Sequence, residues 1–64
     1  MKFRKYPKIK ELRKAAGMTG KELAAKTYVT QGMISGIENG CRQASIPLLE
    51  RIAKVFDVTV NDLL

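Results

Sequence analysis

Lys and Arg are the most abundant residues of this sequence whose side chains could take part in binding or catalysis. The chain has 12 Lys and Arg, 6 Asp and Glu, no His and one Cys. Cys41 therefore has no histidine to activate it as a nucleophile or to share a zinc ion with it. No paired carboxylates and no glycine-rich loop after a strand provide a catalytic or phosphate-binding site. We expect no enzymatic activity, metal or cofactor, and we expect the function to be one of binding.

The positive charge is concentrated at the N-terminus. Residues 1–14 contain seven basic residues and one acidic residue, whereas residues 15–64 contain five of each, so the first segment carries the whole net charge of +6. Such asymmetry predicts a polyanionic partner, either nucleic acid or an anionic membrane surface. The alternative interpretation is a solvated tail that keeps a small protein soluble.

Length and cysteine content limit the architecture. The 64 residues make one domain with a small core. A single cysteine allows no internal disulfide, which fits a reducing compartment. No apolar run approaches the roughly 20 residues of a membrane span, and the N-terminus lacks the apolar stretch of a signal peptide. These features predict a soluble, cytoplasmic protein.

The elements that must position the polar residues are short helices separated by turn signals. Residues 1–7 are predicted to form a basic arm. A first helix over residues 8–16 would place three apolar residues on one face, namely Ile9, Leu12 and Ala16. Gly17 would end it. Thr19 then opens a second helix, because Glu22 stands three residues later and completes a capping box.

The second half of the chain repeats this pattern. Thr30 is an N-cap candidate for a third helix over residues 31–38, with Ile34 and Ile37 facing inward. Ser45 can cap a fourth helix that reaches Phe56. Its predicted apolar stripe consists of Ile46, Leu49, Ile52, Ala53 and Phe56. Thr59 and Asp62 form another capping box for a final helical turn. The sequence therefore predicts an all-α bundle of five helices.

Residues distributed over these helices resemble the phage-repressor (Cro/XRE-type) helix-turn-helix family. The matching residues are Leu12-Arg13, Gly17-Met18-Thr19, Glu22-Leu23-Ala24, Val29-Thr30-Gln31, Ile34-Ser35, Ile37-Glu38-Asn39-Gly40, Leu49, Ile52-Ala53, Val58 and Asp62-Leu63-Leu64. Any one motif is weak, but their joint spacing over almost the whole chain is specific. The resemblance implies a lambda-repressor-like DNA-binding domain at residues 8–64 and a regulator of transcription, with a repressor as the first expectation.

The resemblance also implies roles for individual residues. The third helix would enter the major groove of double-stranded DNA while the second crosses the backbone. Candidate base readers are Thr30, Gln31 and Ser35, with Gln31 foremost because its amide suits the N6/N7 edge of adenine. Candidate backbone contacts are Gly20, Lys21, Asn39 and Arg42. Arg13 and Glu38 are expected to form a structural salt bridge. The alternative for Gln31 or Lys21 is a solvated surface position.

The sequence departs from the family pattern at several positions. Gly32 and Gly36 are predicted to face outward, where longer polar residues are usual, and neither offers a side chain to a base. Tyr28 stands where a glycine is usual before the third helix, and Gly20 replaces a glutamine. Two hypotheses compete. The glycines could permit a close approach to DNA, or the fold could serve as a protein-interaction module that modulates a larger regulator of the same family.

Two further hypotheses concern partners. A homodimer, at least on DNA, would supply the specificity that one sparse half-site lacks. Val60 and Leu64 are the expected interface residues, and the alternative is that the apolar C-terminal residues only close a monomeric bundle. A membrane-associated domain that uses Phe3 and Tyr6 of the basic arm is a third functional class, but no membrane partner is our expectation.

Overall fold

The computed structural model describes residues 3–64, which form five α-helices. They are α1 (Pro7–Ala15), α2 (Gly20–Thr27), α3 (Gln31–Asn39), α4 (Ile46–Phe56) and α5 (Val60–Leu63). α2 packs against α3 and α4, α1 packs against α3 and α5, and α4 packs against α5. The predicted all-α architecture is confirmed. None of the helices in residues 3–64 is both long and apolar enough to cross a membrane.

Hydroxyl side chains begin α2, α3, α4 and α5. Thr19, Thr30, Ser45 and Thr59 each accept a hydrogen bond from the backbone N–H three residues later, over 3.1, 3.1, 3.3 and 3.2 Å respectively. Each hydroxyl satisfies an N–H group that has no partner within its own helix. These four local signals therefore determine where the helices start.

Two of these caps are the capping boxes that the sequence predicted. Glu22 accepts a hydrogen bond from the N–H of Thr19, and Asp62 accepts one from the N–H of Thr59, both over 3.0 Å. Because these N–H groups bind the charged carboxylate, the pKa of each carboxyl is lowered from its ordinary value. The boxes therefore contribute stability at neutral pH, and that contribution is lost as the pH falls through the lowered pKa values.

The turn between α2 and α3 contains a left-handed residue that is not glycine. Tyr28 has φ of 63° and ends α2. A left-handed conformation costs an L-residue about 1–2 kcal/mol. The Tyr28 residue is 86% exposed, so burial of its ring does not offset this cost. Tyr28 therefore adopts the left-handed conformation that a glycine would adopt at this position, and the backbone is strained there.

The core differs from the predicted apolar stripes at two positions. Ile46 was expected to face inward, but this prediction is wrong, since Ile46 is 63% exposed and Leu48 is buried instead. The two side chains lie on opposite edges of the stripe, and α4 turns the Leu48 edge toward the core. Ala16 was also expected to face inward, but it is exposed, because it lies at the C-cap of α1 beyond the last helical residue.

The segment at residues 3–6 lies against the bundle. The N–H of Phe3 donates to the carbonyl of Gly40 over 2.7 Å, and the guanidinium of Arg4 donates to the carbonyl oxygen of Leu64 over 2.8 Å. Tyr6 is buried in the core, next to the start of α1 at Pro7. Two connections thus fix this part of the basic segment, one to the end of α3 and one to the end of α5.

Candidate nucleic-acid interface

The outward face of α3 carries polar side chains and one glycine. Gln31, Gly32, Ser35 and Asn39 are exposed, whereas Ile34 and other apolar residues of the helix point into the core. Gln31 occupies the first turn of α3, where a recognition helix meets base edges. An amide, a hydroxyl and a second amide are therefore presented along one side of the helix.

Thr30 has a structural role at the start of this helix. Its side-chain oxygen accepts a hydrogen bond from the N–H of Met33 over 3.1 Å. The hydroxyl can still donate its proton to another group, because it has one donor besides its acceptor lone pairs. Thr30 is exposed, so a role as a cap and a contact with DNA are compatible.

A polar cleft of about 250 Å³ runs beside this face, between α1 and α3 at the start of α2. Gln31, Ser35 and Asn39 line it from α3, Gly20 lines it from α2 and Lys10 lines it from α1. The sequence analysis did not single out Lys10. Its spacing of three residues from Arg13, which puts both on one face of α1, was the available signal.

The start of α2 adjoins the first residue of α3. A Cβ atom on Gly20 would lie 3.8 Å from Cγ of Gln31, so the stem of Gln31 passes directly over the glycine. The first N–H groups of α2 have no partner within the helix and carry the positive end of its dipole. Lys21 is exposed in the same turn. An anionic group bound there would therefore lie beside Gln31.

An ion pair ties the helices that build the cleft. Nε of Arg13 donates to Oε2 of Glu38 over 2.9 Å, and its terminal nitrogens donate to Oε1 of Glu38 and to the carbonyl of Met18, each over 3.2 Å. The side chains are 15% and 7% exposed. The hydrogen bond to Glu38 raises the pKa of Arg13 above its ordinary value. The Arg13 guanidinium thus connects α1, α3 and the residue before Thr19.

The two glycines of α3 differ in their surroundings. A Cβ atom on Gly32 would find only Oγ1 of Thr30 within 4 Å, at 3.9 Å, so this position is open. Gly36 is buried, and a Cβ atom there would lie 2.7 Å from Cγ of Arg42. The prediction that Gly36 faces outward is therefore wrong, because the stem of Arg42 covers it.

The C-terminal apolar residues divide between the core and the surface. Leu63 is fully buried, Val58 and Val60 are half-buried against the core, and Leu64 is 47% exposed. Leu64 therefore offers more surface to a partner than Val60 does. Cys41 is exposed in the loop after α3 as a free thiol.

Two helices joined by a tight turn, with the second presenting a polar face, define the helix-turn-helix class. Residues 9–63 match the helix-turn-helix family. The chain belongs to this family, and it is of the Cro/XRE type that the sequence analysis identified.

Individual relatives agree with this assignment. Over 58 residues the chain is 40% identical to the transcriptional regulator SinR of Bacillus subtilis, a match that covers 89% of this chain and 52% of SinR. A structure of SinR in complex with DNA has a TM-score of 0.82 and 39% identity, and the match covers 91% of this chain and 97% of that one. The restriction-modification controller protein C.AhdI of Aeromonas hydrophila has a TM-score of 0.85 and 26% identity, covering 91% and 88% of the two chains.

Proposed function

We propose that this chain is a regulator of transcription, acting as a repressor, that binds double-stranded DNA in a sequence-specific manner with α3 in the major groove. The observation that carries the proposal is the cleft, where exposed Gln31, Ser35 and Asn39 lie beside Gly20 at the start of α2 and Lys10 of α1. Base edges require such donors and acceptors, and phosphates require the positive groups around them. The similarity to SinR, whose structure contains bound DNA, supports the proposal that this chain binds DNA.

Each side of the cleft has its own part in this proposal. Gln31 and Ser35 contact base edges, with Thr30 at the margin of the contact. The N–H groups of Gly20 and Lys21 bind a phosphate of one strand. Asn39, at the other end of α3, contacts the backbone farther along the duplex. A cytoplasmic location remains part of the proposal.

The rival hypotheses lose part of their support. The protein-interaction module rested on the two glycines as lost base readers and on the glutamine that Gly20 replaces, but Gly36 is covered for a packing reason. The membrane hypothesis needed both aromatic residues of the N-terminal segment, and Tyr6 is buried in the core. The DNA-binding proposal requires neither that both glycines be lost base readers nor that both aromatic residues be exposed.

Duplex binding tests the proposal directly. The wild-type protein is incubated with a library of random 20–30-base-pair duplexes, a length of two to three turns at about 10.5 base pairs per turn, and bound DNA is recovered by electrophoretic shift. We expect enrichment of one sequence, with an affinity that falls as salt rises because bound phosphates release counterions. Recovery without enrichment, or no shifted band in low salt, would contradict sequence-specific binding.

Gln31→Ala is expected to weaken binding to the selected operator by about 1–3 kcal/mol, because the amide donates and accepts at one base edge. Affinity for random duplex should change little. Asn61→Ala is the matched control, since Asn61 is an exposed amide on α5. Fluorescence anisotropy on both duplexes measures the two effects. An equal loss on operator and random DNA would remove Gln31 from the set of base readers.

Two copies of the chain are proposed to occupy a palindromic operator, in contact through Leu64 and Val60. Half-sites about 34 Å apart would then face the same side of the duplex. Sedimentation with and without operator should give two proteins per duplex. Leu64→Asp should reduce cooperativity and leave binding to an isolated half-site unchanged. One protein per duplex at saturation would exclude the dimer.

A further inference from the structure

The side chain of Arg42 lies across α3 at Gly36. A Cβ atom built on Gly36 would stand 2.7 Å from Cγ, 2.8 Å from Cδ and 3.2 Å from Cβ of Arg42. Cβ atoms do not approach other atoms as closely as 2.7 or 2.8 Å, so any residue larger than glycine would displace the arginine stem. The Arg42 side chain therefore packs directly against the backbone of Gly36, in space that only a glycine at this position leaves open.

The backbone after α3 holds Arg42 in this place. Gly40 has φ of 81°, and its left-handed conformation reverses the chain at the end of the helix. The N–H groups of Cys41 and Arg42 then both donate to the carbonyl of Gly36, over 2.7 and 3.1 Å. The start of the Arg42 side chain is thus fixed against the last turn of α3 by two backbone hydrogen bonds.

The charge of Arg42 is free for a ligand. Among residues 3–64 no carboxylate lies within ion-pair distance of this guanidinium; the ion pair in this part of the chain joins Arg13 and Glu38. One turn before Gly36 on the same side of α3, Gly32 leaves the helix surface open. The Cγ and Cδ atoms of Arg42 therefore occupy the space that the first side-chain atoms of a larger residue 36 would fill.

We propose that Arg42 reads a base edge in the major groove, with Gly36 as the residue that positions it. This inference rests on the proposed DNA-binding function. A guanidinium donates two parallel hydrogen bonds to O6 and N7 of guanine, which makes guanine the expected target. Arg42, from the loop after α3, thus makes the base contact that a longer side chain at residue 36 would make, and Gly36 leaves the space for it. The sequence analysis assigned Arg42 to the backbone, and this proposal revises that role.

The first test compares two Arg42 variants with the wild-type protein, on the operator that the wild-type protein selects and on random duplex. Arg42→Ala should lower operator affinity by about 10- to 100-fold, and random-duplex affinity far less, because the lost contact is to a base. Arg42→Lys should recover little of the loss, since an ammonium is a point charge without the guanidinium fork. Replacing one operator G·C pair should weaken the wild-type complex and leave the Arg42→Ala complex unchanged.

The positioning role of Gly36 has its own readout. Gly36→Ala should weaken operator binding in the wild-type background and have a much smaller effect in the Arg42→Ala background, where only Cβ of residue 42, at 3.2 Å, still lies close to the added methyl group. Gly32→Ala is the matched control, since its added methyl meets open space. Its effect should be the same in both backgrounds. Thermal unfolding by circular dichroism confirms that each variant is folded.

The outcomes separate the two levels of the proposal. Equal losses on operator and random duplex in Arg42→Ala would make Arg42 a phosphate contact and overturn base reading. Additive effects of Gly36→Ala and Arg42→Ala would contradict the role of Gly36 in positioning Arg42. A wild-type protein that binds no duplex would instead refute the proposed function itself. The Arg42 variants decide base reading even where Gly36→Ala does not fold.

Discussion

Glu38→Ala is expected to lower the free energy of unfolding by about 3 kcal/mol, because it leaves the guanidinium of Arg13 partly buried without its partner. Three hydrogen bonds hold that guanidinium, and two of them end on Glu38. The value lies at the lower end for broken buried pairs, since the Arg13 side chain keeps 15% of its exposure. In a domain of this size the loss should lower the melting temperature by about 12–24 °C.

Two controls distinguish the effect of leaving the Arg13 guanidinium without a partner from the effect of removing a glutamate side chain. Glu22→Ala removes an exposed carboxylate from a capping box, and we expect a loss of about 1 kcal/mol or less. The double variant Arg13→Met, Glu38→Leu replaces both charges with apolar side chains and should recover most of the stability. Denaturation by urea measures all four proteins. A double variant no more stable than Glu38→Ala would show that the pair itself, rather than the stranded charge, carries the effect.

The ion pair also bears on function, since it orients the cleft. Arg13 lines the cleft from α1 and also binds the carbonyl of Met18, just before α2 begins. Loss of Glu38 should therefore shift the first turn of α2 relative to Gln31. Operator affinity measured well below the melting temperature should fall for Glu38→Ala and for the double variant alike, because neither retains the connection between the three helices.

Local signals explain why most of the fold could be predicted. Thr19 and Thr30 each begin a helix through a hydrogen bond to a residue three positions later, so a few adjacent residues contain the whole signal. Gln31 and Ser35 could be placed on the outer face because Ile34 and its apolar neighbours occupy the inner one. Periodicity and caps are short-range properties, and the sequence displays them directly.

The remaining features depend on contacts between distant segments. Ile46 and Leu48 are equally placed on the edges of one apolar stripe, and only the packing of α4 selects Leu48 for the core. Gly36 follows the outward spacing of α3, but the chain folds back after Gly40 and covers it with Arg42. A periodicity argument treats a helix in isolation. It therefore cannot show that a loop side chain lies on a position that the helix alone would expose.

The second large effect is expected at Gly40, where two constraints coincide. Gly40 has φ of 81°, which costs an L-residue about 1–2 kcal/mol. A Cβ atom would also stand 2.7 Å from the carbonyl oxygen of Phe3 and 3.0 Å from Cγ of Lys5. Because a backbone atom cannot move aside as a side chain can, this contact adds an overpacking cost of similar size. We expect Gly40→Ala to lower the free energy of unfolding by roughly 2–4 kcal/mol.

Gly17 provides a matched control for Gly40. It has φ of 67° and no atom within 4 Å of an added Cβ, so Gly17→Ala carries the backbone cost alone, about 1–2 kcal/mol. The difference between the two variants measures the contact between residues 3–5 and the end of α3. Deletion of residues 1–5 leaves Tyr6 in place and should reduce the cost of Gly40→Ala to that of Gly17→Ala. If the two costs differ equally before and after the deletion, the N-terminal segment does not pack on Gly40 in solution, and its basic residues are then free to move toward DNA independently of α3.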